Sequence, residues 1–90
     1  MKSLFILAIA LSSASAFARP STTNMACADA AALVKAKGAI VLSTGAYTYD
    51  RFVAHAGYCG AGEKALGAWV NTADSDSCFI GYVCKNRGHR

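Results

Sequence analysis

Four cysteines, at positions 27, 59, 78 and 84, constrain this 90-residue chain more than any other feature. A chain so short buries too little apolar surface to be comfortable alone, and covalent staples are the usual remedy. An even cysteine count in a short exported chain implies two disulfides. Zinc would need thiolates in close pairs, typically with two to four residues between them. Here 31, 18 and 5 residues intervene between successive cysteines, so no close pair exists and no metal site is expected.

Export is read from the first eighteen residues. Lys2 supplies a positive start, Leu4 to Leu11 an apolar stretch, and Ala16-Phe17-Ala18 a small-x-small cleavage site before Arg19. The apolar run is shorter than the roughly 20 residues a transmembrane helix needs. Residues 1–18 are therefore expected to be a signal peptide, leaving a mature chain of 72 residues with no transmembrane segment. All four cysteines fall in that part. Its charge excess is +3, supplied by Lys85, Arg87 and Arg90, because residues 19–84 hold five charges of each sign. A neutral body with charge only at its end is not the basic stripe of a nucleic-acid binder.

Residues 19–24 (RPSTTN) are polar and contain the single proline, and are expected to be a flexible mature N-terminus. From Met25 the sequence is rich in helix formers up to the stop at Gly38, with Thr23 or Asn24 as N-cap. Asp29 near the start and Lys35 and Lys37 near the end complement the helix dipole. The buried stripe is expected to run through Ala26, Ala30, Leu33 and Val34. Residues 39–43 (AIVLS) and 46–53 (AYTYDRFV) read as strands joined by a Thr-Gly turn, and 54–67, with four glycines, as a loop carrying Cys59. Residues 68–72 give a third strand, 73–77 (ADSDS) a turn and 78–84 (CFIGYVC) the closing strand.

The fold class expected is α+β: one N-terminal helix packed on a small three- or four-stranded antiparallel sheet, with residues 25–84 as the domain and 85–90 as a basic tail. Cys78 and Cys84 would stand roughly 20 Å apart along one strand. That is well beyond disulfide reach, so each needs a different partner. A four-strand meander gives the pairs Cys27–Cys78 and Cys59–Cys84. Loss of the second strand would give Cys27–Cys84 and Cys59–Cys78. The first set is preferred.

The runs KGAIVLSTGAYTYDRFVAHAGYC (37–59) and AWVNTADSDSCFIGYVC (68–84) resemble a group of short exported proteins of Gram-negative bacteria. These share a signal peptide, a G-A-I-V-L-S-T-G run, a Y-D-R-F-V run and a closing C-x-x-G-Y-x-C. The resemblance implies a cell-envelope or secreted protein; it transfers no activity, catalytic residue, cofactor or ligand.

Candidate chemistry is sparse. Asp50, Arg51 and His55 are the only acid and base close together mid-chain, and are the site of an alternative, hydrolase-like reading. Asp50 and Arg51 are expected on opposite strand faces, so the three do not converge. With every cysteine oxidised there is no thiol nucleophile, and no catalytic residue or cofactor is expected. Asp74 and Asp76 begin a D-x-D pattern that lacks the remaining ligands of a calcium loop. Tyr47, Tyr49 and Arg51 are expected to form an aromatic–cationic patch for a sugar, peptide or protein partner. Lys85, Arg87 and Arg90, with His89, are candidate contacts for envelope anions, the basis of the first alternative, a cationic envelope- or membrane-active effector, ahead of the hydrolase-like one. The leading expectation is a monomeric, non-enzymatic binding or structural protein of the periplasm or extracellular space, its partner an unidentified protein or envelope component.

Overall fold

The computed structural model describes residues 19–87. The signal-peptide reading of residues 1–18 lies outside these, as do His89 and Arg90. Helix α1 (Cys27–Lys37) is followed by strands β1 (Ala39–Ser43), β2 (Tyr49–Val53), β3 (Glu63–Thr72) and β4 (Ser75–Asn86). The strands form one antiparallel sheet, and α1 packs chiefly on β4. Disulfides join Cys27 to Cys78 and Cys59 to Cys84, with Cα–Cα separations of 5.6 and 5.5 Å.

Both pairs match the expectation, but the sheet is no meander. Its order is β1-β2-β4-β3, with β4 inserted between its two neighbours. The nine-residue connection 54–62 is long enough to cross over and leave that slot free. Two hairpins result, and their ladder contact is a single position, Val53 opposite Tyr82. At this junction Gly81 is buried, with the Val53 carbonyl oxygen 2.7 Å from where a Cβ would stand.

The second tie between the hairpins is the segment expected to be flexible. Residues 22–24 form a 3-10 turn, and the Ser43 amide donates to the Pro20 carbonyl. The buried Thr22 hydroxyl donates to the Asn71 carbonyl at 2.8 Å, and the Ala73 amide to the Met25 carbonyl. Thr22 thus satisfies its polar group inside the protein, which is what lets a threonine be buried at all. Residues 20–25 strap the end of β1 to the β3–β4 turn.

That strap also places the helix. Neither Thr23 nor Asn24 caps α1; the Cys27 amide donates instead to Asp74 Oδ1 at 2.8 Å, from the turn 47 residues away. Asp74 also accepts from the Thr72 hydroxyl at 3.0 Å. The two bonds, the one from the Cys27 amide foremost, hold the Asp74 carboxyl below its usual value of 3.8. Its contribution to stability is complete above that value and is lost as pH falls through the lowered pKa. Asp74→Ala should lower the melting temperature by more at pH 7 than at an acid pH well below 3.8. An equal shift at both would contradict the cap.

Of the expected helix stripe, Ala30 and Val34 are buried and Leu33 packs against the same core, whereas Ala26 is the cap residue and only half-buried. The core is completed by Leu42, Phe52, Ala68, Cys78 and Ile80. Among the described residues Phe52 is its only aromatic member. β3 starts at Glu63 rather than 68, because β4 continues past Cys84 and pairs with it through Lys85 and Asn86. The basic tail therefore begins as strand.

Candidate functional site

The anticipated patch is only partly assembled. Tyr49 and Arg51 alternate along β2 with Asp50 and so share a face, both exposed. Tyr47 is not on the strand. It stands 96 % exposed in the loop 44–48, which is closed by a bond from the Thr44 amide to the Thr48 carbonyl. Moreover, the Arg19 guanidinium lies 4.2 Å from the centroid of the Tyr49 ring. The chain's own cation already uses that ring.

Asp50 and His55 are each engaged locally. Asp50 accepts the Arg51 amide at 2.8 Å, and His55 Nδ1 accepts the Gly57 amide at 3.0 Å. With that lone pair taken, neutral His55 carries its proton on Nε2 and presents a donor rather than a base. Lys85 and Arg87 are tied to the β3–β4 ladder: Lys85 stands opposite Lys64, and the Arg87 amide donates to the Gly62 carbonyl. The half-buried Cys59, Cys84 and Glu63 lie close enough together to resemble a metal trio. Both sulfurs are in a disulfide, however, so neither is a thiolate ligand, and Glu63 accepts the Gly60 amide.

Chemistry gathers elsewhere. Trp69 and Phe79 are opposite one another on β3 and β4, ring centroids 5.0 Å apart, and Phe79 meets Tyr82 edge-on at 5.4 Å. Trp69 is 61 % exposed and Phe79 42 %. Gly67 seats this row, because a Cβ there would come within 3 Å of the Trp69 ring. The row leads into a groove of about 320 Å³ between α1 and β4. Ala31, Val34 and Lys35 of α1 form one wall, residues 79–82 of β4 the other, and Ala54 and His55 the end. His55 is steadied by Tyr58, their centroids 4.8 Å apart, and Tyr58 in turn rests on Gly38 at the helix end.

No expected site residue pointed to this row. Trp69 meets Phe79 across strands, whereas Phe79 meets Tyr82 three residues along β4, a spacing that regular alternation would put on opposite faces; the β3–β4 register, with its irregularity at Ala68/Trp69, sets both relations. The available signal was the surplus of aromatic residues over what one small core holds.

Trp69 is the only tryptophan in the chain and reports on the row directly. Trp69→Ala should cost about 1 kcal/mol, the worth of a cross-strand aromatic pair. A tryptophan in the core would cost roughly 3–5 kcal/mol. Chemical denaturation of the variant separates the two values.

Comparison with protein-family models, with curated proteins and with solved structures finds no match for this chain. Among the described residues no helix is long and apolar enough to cross a membrane.

Proposed function

We propose that this chain is an exported, non-catalytic binding module of the periplasm or extracellular space that holds its ligand in the groove between α1 and β4. The observation that carries the reading is the Trp69–Phe79–Tyr82 row, its first two rings exposed and Tyr82 half-buried, running into an apolar groove. Aromatic side chains supply large contact area at low conformational cost and concentrate where proteins bind. Two disulfides fit an oxidising compartment, as do the leader-like first eighteen residues. The resemblance to short exported Gram-negative proteins points the same way. His55, a donor held by Gly57, supports binding over proton abstraction.

The test is retention. Immobilised oxidised protein should hold back a component of cell-envelope extract, and Phe79→Ala should abolish retention while leaving the circular dichroism spectrum unchanged. A folded Phe79→Ala protein that retains the same component as the parent would overturn the reading.

A further inference from the structure

We infer that the groove takes a medium-chain carboxylate: a single anionic head on an aliphatic tail of about eight to ten carbons. This deepens the binding reading above and rests on it. Three observations select the class.

The first is size. A volume of about 320 Å³ stands at the lower limit for small-molecule sites, roughly 300–1,000 Å³, and suits one short tail rather than a folded partner. The second is the wall. Ala31, Val34, Ala54, Ile80 and Phe79 give a lining that is mostly apolar, matching an alkyl chain in shape and hydration.

The third is charge. No lining residue is acidic, and the two nitrogen-bearing side chains present are both donors. Lys35 follows Ala31 by one turn on the same helix face and brings an ammonium on a flexible stem. His55 offers Nε2–H, because Nδ1 is committed to the Gly57 amide. The C-terminal end of α1 carries partial negative charge, which Lys35 and Lys37 in the last turn offset. A carboxylate placed between Lys35 and His55 would accept two hydrogen bonds, one from a full cation. An alkylammonium would meet the Lys35 charge with no acidic side chain among the lining residues to accept it.

The experiment is an NMR titration of the purified oxidised protein with octanoate, octanol and octylammonium, read on the amides of residues 31–35, 54–55 and 79–82. Octanoate should bind about fivefold or more tightly than octanol, a factor in keeping with one charge-assisted contact at a partly exposed site. Octylammonium should bind more weakly than either. Lys35 is exposed, so Lys35→Gln keeps the fold; it should bring octanoate down to the level of octanol and leave octanol unchanged. Equal binding of all three probes overturns the carboxylate assignment and leaves the groove as a binding site. Failure of all three to move these amides overturns it too. The broader binding reading falls separately, on the Phe79→Ala retention result.

Discussion

Replacing Cys27 and Cys78 together by alanine should destabilise the protein by about 4 kcal/mol, because their bond closes a loop of 51 residues. A domain of this size has only roughly 4–10 kcal/mol in all. The variant should therefore melt about 20 °C or more below the parent. Removing the Cys59–Cys84 bond, which closes 25 residues, should cost about half a kcal/mol less on loop entropy alone. Packing widens that gap. Cys78 is buried in the core beside Ile80 and Val34, whereas Cys59 and Cys84 are half-buried. Thermal melts of the two double variants, compared at one pH, give the order. The reverse order would mean that the helix is held by its core contacts and the strap rather than by sulfur.

Gly81→Ala should cost about 3 kcal/mol, from two sources. Its φ of +147° is a conformation L-residues avoid, and its Cβ would stand 2.7 Å from the Val53 carbonyl oxygen and 3.0 Å from Val34 Cγ1. Neither neighbour can easily yield: one is backbone at the single ladder contact between the hairpins, the other is a core side chain. Gly62 is the control. It has φ +82° and nothing within 4 Å of its Cβ position, so Gly62→Ala should cost only about 1 kcal/mol of backbone strain. Equal losses at the two sites would remove the close approach at Gly81 from the account.

How much of this was legible beforehand depends on how local the determinant is. The helix ends at Lys37 and β1 runs from 39 to 43, as their composition and Gly38 indicate, because propensity and the C-cap act within a few residues. The cysteine pairs were legible only in part: disulfide reach excludes a bond within β4, but the choice between the two remaining pairings rested on a meander that the order β1-β2-β4-β3 replaces. The slot taken by β4 was not legible, since either order satisfies the alternation of its side chains. The helix cap was not, because Asp74 is 47 residues from the amide it receives. Thr22 reads as part of a flexible, polar mature N-terminus, and only the Asn71 carbonyl makes its burial tolerable. The groove depends on both hairpins and the helix at once, and so on all of these.

Of the expected site residues, the structure brings Tyr49 and Arg51 to one face but sets Arg19 over the first. His55 was singled out for proton chemistry with Asp50. It lines the groove instead, as Lys35 does, with its Nδ1 taken by the Gly57 amide.

Two sulfur bridges pin α1 and the crossover loop to β4, and the groove between α1 and β4 depends on both. Trypsin leaves Cys78 and Cys84 on one fragment, residues 65–85, so cleavage after Phe79 or Tyr82 with chymotrypsin is also required. Mass spectrometry of the unreduced double digest should yield fragments linked 27 to 78 and 59 to 84. Fragments linked 27 to 84 and 59 to 78, or four free thiols in the native protein, would contradict the arrangement and the groove built on it.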